Sequence, residues 1–271
     1  YYNYDMRPKK SLGQNFLTSQ SVVDKIVETA NLDSKDVVLE VGPGKGVLTQ
    51  ALLEKAGKVI AVEKDDALIY LLKEKFAQEI KEEKLVLVRG DILKFDLPAG
   101  KAGFEEYGLK NSNYKIVANI PYYITGEFLR RTLSSDIQPS QMVLLVQKEV
   151  AERIARSKKE SILSLSIKVY GEPKYIQTVK AGSFNPAPKV DSAILSIENL
   201  SKKFFDEVSE ERFFKVIKTG FAHKRKLLLS NLSVLKSREE IKKAFKEALI
   251  NEKARAEELS LEQWLLMVKI I

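Results

Sequence analysis

The sequence contains no cysteine and only one histidine, His223, in 271 residues. Without thiols there are no disulfides, no thiolate metal sites and no cysteine nucleophile, and the composition fits a reducing cytosol. A single imidazole cannot furnish the usual zinc site or a serine–histidine triad. No segment approaches the ~18 uninterrupted apolar residues of a membrane span. The opening YYNYDMRPKK has no apolar core of the kind a signal peptide carries, and it does not begin with an initiator Met. Proline (8) and glycine (13) are sparse against 44% hydrophobic residues, a balance that belongs to folded globular chains. A cytoplasmic protein is expected, with neither membrane nor metal as a partner. Any chemistry it performs must proceed without histidine relays.

What the chain does have is positive charge. It carries 45 Lys and Arg against 37 Asp and Glu, a net of +8. Residues 181–271 hold 17 basic and 13 acidic side chains, whereas the first 180 hold 28 and 24. The C-terminal third is therefore about twice as basic per residue. Solubility alone accounts for some of that excess, and a polyanionic partner accounts for it equally well.

Between residues 37 and 147, short β-branched runs alternate with stretches of helical spacing. VVLEVG (37–42), KVIAVEK (58–64), LVLVRGD (85–91), YKIVANI (114–120) and MVLLVQ (142–147) read as strands. VLTQALLEKA (47–56) and ALIYLLKEKF (67–76) read as helices. Near-continuous apolar strands separated by helices predict a doubly wound α/β, Rossmann-like parallel sheet covered on both faces. KEVAERIARS after Gln147 predicts a helix, and ILSLSIKVYG fits a helix or a strand. YIQTVKAG and SAILSIEN flank the loop SFNPAPKVD and predict an antiparallel edge to the sheet. Beyond residue 200 the pattern predicts three helices, with Ser237 and Ser260 as N-caps. The expected organisation is an α/β domain over 1–200 and a small basic helical domain over 201–271.

The first strand ends in EVGPGKGVLTQAL (40–52). Glycines at 42, 44 and 46 let the backbone approach a ligand closely before the next helix. Glu63 stands 21 residues after Gly42, at the end of the second strand, where an acid can accept hydrogen bonds from both hydroxyls of a ribose. The spacing is G-x-G-x-G, not the dinucleotide G-x-G-x-x-G, and an acid, Glu40, precedes it. A carboxylate beside the loop suits a ligand bearing an ammonium and a sulfonium, which is to say S-adenosylmethionine. Asp91, in RGDIL, is placed to accept from an adenine amino group; its structural alternative is a loop cap.

The fourth strand runs into NIPYY (119–123), on the side of the sheet where ligands bind. The lone pair of an adenine N6 is delocalised into its ring, so methylating it calls for acceptors that grip the two N6 hydrogens and favour a tetrahedral nitrogen. The Asn119 side-chain oxygen and the Ile120 carbonyl can do this. Pro121 stiffens the turn without adding a competing donor, and Tyr122 offers a face to a stacked base. A plain strand-end turn with packed tyrosines is the alternative for this motif taken alone.

KKSLGQNFL, EVGPGKG, AVEKD, RGDIL, NIPYY and FNPAPKVDSAI, in this order, closely resemble the KsgA-type small-subunit rRNA adenine N6,N6-dimethyltransferases. The same fold includes the Erm enzymes and the mitochondrial transcription factor B relatives. The resemblance implies dimethylation of two adjacent adenines in the 3′-terminal hairpin of small-subunit rRNA, within an assembling 30S particle; a monomer is expected, though no residue pattern speaks to dimerisation. It implies that Gln14, Asn15 and Leu17 line the cofactor pocket. Gly42 belongs to the methionine end, Glu63 to the ribose and Asp91 to the adenine, and Gly44 is a further cofactor-binding position. It further implies that Asn119 touches both cofactor and target amine, and that Tyr122 and Phe184 sandwich the flipped base, although Phe184 could equally anchor the edge strands. Lys224, Arg225 and Lys226, in FAHKRKLLLSNL, are the expected RNA contacts, with less arginine than the family pattern and so less bidentate phosphate recognition. His223 is expected to be structural or exposed. The rivals are an Erm-like large-subunit enzyme, a non-catalytic nucleic-acid-binding protein on the same fold and, more remotely, an NAD-dependent oxidoreductase.

Overall fold

A computed structural model describes residues 8–9, 12–94 and 107–271. Lys10 and Ser11 of the KKSLGQNFL motif, and the opening YYNYDMR, lie outside the described residues. The chain forms two compact units, one from residues 1–151 and 173–200, the other from 152–172 and 201–271. The second unit thus takes in a stretch from the middle of the chain, which the expected single break after residue 200 does not include.

The first unit begins with β1 (Phe16–Leu17) and α1 (Gln20–Ala30), followed by β2 (Val37–Val41), α2 (Val47–Lys55), β3 (Lys58–Glu63), α3 (Asp66–Lys75), α4 (Ala77–Lys81) and β4 (Leu85–Arg89). It continues with β5 (Tyr114–Asn119), α5 (Thr125–Ser134), β6 (Gln141–Gln147) and the start of α6 (Lys148–Ala155). After the excursion into the second unit it closes with β7 (Glu172–Val179), β8 (Phe184–Asn185) and β9 (Ser192–Glu198). Seven strands form one sheet in the order β4-β3-β2-β5-β6-β9-β7, and β1 pairs separately with β8. The β2–β3, β2–β5, β3–β4 and β5–β6 pairs are parallel, and β6–β9 is antiparallel. The antiparallel extension read from the sequence is therefore present, with β9 lying inside β7.

All five residues paired along β2 are apolar except Glu40, and Val38, Leu39, Val59, Ile60, Ala61, Ile116, Val117 and Ala118 are inaccessible to solvent. Burial on both faces explains why these strands read as unbroken apolar runs and not as alternations. From β2 the chain winds to one edge through β3 and β4, then returns to the other side of β2 with β5. The crevice at this reversal lies between the carboxyl ends of β2 and β5, so the glycine loop and NIPYY face one another across it. Helix α1 covers the sheet with Val22, Val23, Ile26 and Ala30, one stripe of a 3.6-residue period, and stops at Asn31 in the left-handed region (φ 45°).

The second unit contains α7 (Ile162–Lys168), α8 (Glu210–Gly220), α9 (Leu228–Leu232), α10 (Arg238–Glu247) and α11 (Leu261–Ile270). ILSLSIK, ambiguous in sequence, is helical, because Ser161 and Ser164 form a capping box that starts it. The caps expected at Ser237 and Ser260 form as well, with Glu240 and Gln263 as their reciprocal partners. Trp264 is wholly buried, donates Nε1 to the Ala256 carbonyl at 3.2 Å and stacks on Phe221 at 5.5 Å.

Candidate active site

A cleft of about 1000 Å³, its open mouth included, sits at the reversal of the sheet. The structure brings Gln14, Asn15, Leu17, Gly42, Gly44, Glu63, Asp91, Asn119, Ile120, Pro121 and Tyr122 to its walls. These residues come from five separate stretches of sequence.

The glycine loop is shaped by close packing. Gly44 has φ +59°, and a Cβ there would stand 3.0 Å from the Phe16 ring; at Gly46, with φ +73°, a Cβ would lie 2.6 Å from Phe76. Both positions combine a left-handed backbone with a close aromatic ring, which would have to yield slightly at 44 and to shift at 46 if a side chain were added. Lys75 reaches under the loop and donates to the carbonyls of Lys45 and Gly46 at 3.2 and 3.1 Å.

Two acids stand behind the loop. Glu63 is buried; it accepts from the Gly44 amide at 3.2 Å, from Lys64 at 2.8 Å and from Asp65 at 2.9 Å. Burial lifts its pKa above the ordinary carboxylate value against the pull of those three amides. Glu40 is 1% exposed, lines the cleft, and its Oε2 has no hydrogen-bond partner among the described residues. Burial pushes its pKa up to about 8; the neighbouring Glu63 carboxylate adds to the rise, and Thr49 and Lys75 offset part of it. An enclosed carboxyl with one oxygen left undonated is costly as an anion unless a cation arrives to meet it. The cleft therefore fits a cationic ligand with hydroxyls, as S-adenosylmethionine is. Asp91 accepts from Lys64 Nζ at 2.9 Å and from the Leu93 amide at 3.0 Å. Burial works to raise its pKa, but these two donors prevail and it lies below the usual range.

Asn119, the last residue of β5, donates Nδ2 to the Asn15 carbonyl at 3.1 Å. A carbonyl can only accept, so this contact determines which way round the carboxamide lies. Its Oδ1 is left as an acceptor, and no described residue donates to it. Tyr122 is half-buried, and its hydroxyl shares a 2.6 Å hydrogen bond with Ser192 Oγ at the start of β9. Burial raises the Tyr122 pKa and the Ser192 contact opposes the rise.

Phe184 does not line the cleft. It is 4% exposed, paired in register with Leu17, and part of the first unit's hydrophobic core, so here it offers no open face to a base. Of the two roles read for it, loop anchor matches this placement. Lys224, Arg225 and Lys226 are exposed in the second unit, on the turn between α8 and α9, as is His223. That turn is held by Asn231, whose Nδ2 donates to the carbonyls of Gly220 at 2.6 Å and His223 at 3.2 Å.

Sequence reasoning missed Asp65, Tyr123 and Ser192. Tyr123 borders the cleft at 61% exposure and was legible as the second tyrosine of NIPYY. Ser192 follows directly on the FNPAPKVD loop, yet nothing local ties it to a tyrosine 70 positions earlier. Asp65 reads as a helix cap, which it is, but it also binds residues 51 and 56 positions upstream.

Among the described residues no group of His, Cys, Asp or Glu could hold a metal ion, and no helix is long and apolar enough to cross a membrane. The family model described as "Ribosomal RNA adenine dimethylase" matches residues 6–271. A protein of Dehalococcoides mccartyi named "Ribosomal RNA small subunit methyltransferase A" is 44% identical over 96% of this chain and 87% of its own length. A protein of the same name from Fusobacterium nucleatum is 38% identical over 98% of both chains. Among solved structures, the dimethyladenosine transferase of Plasmodium falciparum superposes with a TM-score of 0.76 at 25% identity, covering 93% of this chain and 95% of its own. The 23S rRNA methyltransferase ErmE gives 0.73 at 25% identity, covering 94% and 99%.

Proposed function

The chain belongs to the ribosomal RNA adenine dimethylase family, and on that premise we infer how this cleft works and which RNA it serves. The protein is an S-adenosylmethionine-dependent rRNA adenine N6-methyltransferase. The RNA we assign to it is that of the small subunit, at two adjacent adenines of the 3′-terminal hairpin, within an assembling 30S particle in the cytoplasm. The 38–44% identity to small-subunit enzymes, against 25% to the large-subunit ErmE, favours this choice over the Erm-like one.

The observation that carries the mechanism is the oriented carboxamide of Asn119, with Nδ2 on the Asn15 carbonyl and Oδ1 receiving no donor among the described residues. When bound, S-adenosylmethionine supplies an electrophilic methyl carbon on a sulfonium. Glu40 and Glu63 supply the negative environment for the cationic portion and for the ribose hydroxyls, and Asp91 supplies an acceptor for the adenine amino group. Asn119 Oδ1 and the Ile120 main-chain carbonyl hold the two hydrogens of the target N6, which frees its lone pair for in-line attack. Pro121 keeps this turn rigid. Tyr122, held by Ser192, presents a ring against which an extruded base can stack. No general base is required, because the methylated ammonium loses its proton to water.

The test is transfer of labelled methyl groups to undermethylated 30S particles, with the modified bases mapped. Dimethyladenines at two neighbouring 3′-terminal positions are expected. Asn119→Ala should lower turnover by ~10²-fold, the scale of losing one preorganised polar group. Modification confined to large-subunit RNA, or normal turnover by the variant, would overturn the reading.

A further inference from the structure

Residues 12–17 border the cleft as a short segment with little secondary structure of its own, apart from the two residues of β1. It is tied down at three places. At its C-terminal end β1 pairs with β8, and Thr18 donates both its amide and its hydroxyl to the Ser183 carbonyl, at 2.9 and 3.0 Å. In the middle, the Asn15 carbonyl receives Asn119 Nδ2. At the N-terminal end everything converges on Asp65, which is 4% exposed. Gln14 Nε2 donates to Asp65 Oδ2 at 2.9 Å, Lys9 Nζ meets Asp65 Oδ1 at 2.6 Å, and the Lys9 amide donates to Gln14 Oε1 at 2.7 Å. Asp65 is itself anchored: its amide donates to Glu63 Oε1 at 2.9 Å, and its Oδ1 caps α3 through the Ala67 amide at 3.1 Å.

This arrangement does more than close a loop. The carboxamide of Asn119 has one end that donates and one that accepts, and the two are nearly equal in shape. The Asn15 carbonyl is what distinguishes them. Were it withdrawn, the amide could turn over and present hydrogens, where the reaction needs an oxygen. Capping α3 requires one carboxylate oxygen of Asp65; the other oxygen, and the Lys9 ion pair, serve the segment that carries Asn15.

We propose that Asp65 is a positioning residue for methyl transfer: by fastening Lys9 and Gln14 it keeps the neighbouring Asn15 carbonyl in place, and through it the acceptor face of Asn119. The proposal rests on the reading of Asn119 given above. It adds a requirement 54 positions away in sequence that is satisfied without contact between Asp65 and the substrate.

The test is D65N in the full chain. An asparagine at 65 still caps α3 through its oxygen, so the fold should persist, with a modest fall in the thermal midpoint from the lost Lys9 ion pair. Its NH₂, however, would face the Gln14 NH₂ and break the ring of hydrogen bonds. Cofactor affinity should fall severalfold, and kcat at saturating S-adenosylmethionine should fall roughly ten- to a hundredfold, as for a misplaced catalytic group. A role confined to cofactor binding would let saturation restore kcat. The swapped pair D65N/Q14E restores the pattern, because a glutamate at 14 accepts both from the amide of Lys9 and from the new NH₂ at 65. It should recover most of the kcat that D65N loses. Normal kcat for D65N at saturating cofactor, or a swapped pair no better than D65N, would overturn the proposal. The underlying reading fails separately, if the unaltered protein transfers no methyl groups or Asn119→Ala is fully active.

Discussion

Glu40 shows how much a single side chain can do by being badly solvated. Its carboxyl has no donor on Oε2 among the described residues, and burial, reinforced by Glu63, sets its pKa near 8. In the unfolded chain the same group titrates near 4.5. Below that value both states are protonated and Glu40 is neutral to stability. Between about 4.5 and 8 the folded protein retains a proton that the unfolded chain has lost, so this group makes stability fall as pH rises. Thermal midpoints of the cofactor-free protein should therefore decline from pH 5 to pH 8, and Glu40→Gln should flatten that decline. A slope unchanged in the variant would assign it to another group. The sequence shows an acid in front of the glycine loop. It does not show that the acid is enclosed with Oε2 undonated, because that depends on β2 lying between β3 and β5 and on the helices packed above them.

At the scale of elements, periodicity and caps were reliable guides wherever a segment was long enough to show them. The five parallel strands and the helices α2 and α3 fall within one or two residues of their expected ends, and both predicted serine caps form. The β1–β8 pair could not be foreseen, since two residues carry no period and their partners lie some 168 positions away. The helix–helix contact in the second unit is equally non-local. A Cβ at Gly220, in the last turn of α8, would lie 2.3 Å from the Trp264 ring of α11. Gly220→Ala should cost about 1–3 kcal/mol through overpacking. Trp264 is the only tryptophan, so its fluorescence during denaturation reports on this unit directly. An unshifted midpoint would mean that the ring moves aside freely.

For the whole molecule, charge and substrate are one question. Lys224, Arg225 and Lys226 are exposed on a turn braced by Asn231, which is a suitable presentation for phosphate contacts. Replacing all three with alanine should reduce the steepness of RNA affinity against salt by about 0.7 to 0.9 per lost phosphate contact, so by about two to three in a log–log plot if all three engage. The affinity for S-adenosylmethionine, set by a cleft that contains none of them, should be unchanged. An unaltered salt slope would place the RNA surface on other basic residues.

The sequence by itself determined the class of fold, the identity of the cofactor and most of the cleft. Each of these is written in short stretches where one local requirement, such as a backbone turn, an acid at a strand end or a rigid amide-bearing turn, admits few residue types. Only the tertiary structure decided that Phe184 is packed into the core, that 152–172 joins the C-terminal helices, and that Asp65 holds the segment which orients Asn119. The physical reason is that these depend on hydrogen bonds and apolar contacts between residues far apart along the chain. Such contacts leave no spacing to read, and they exist only once the sheet has brought its strand ends together.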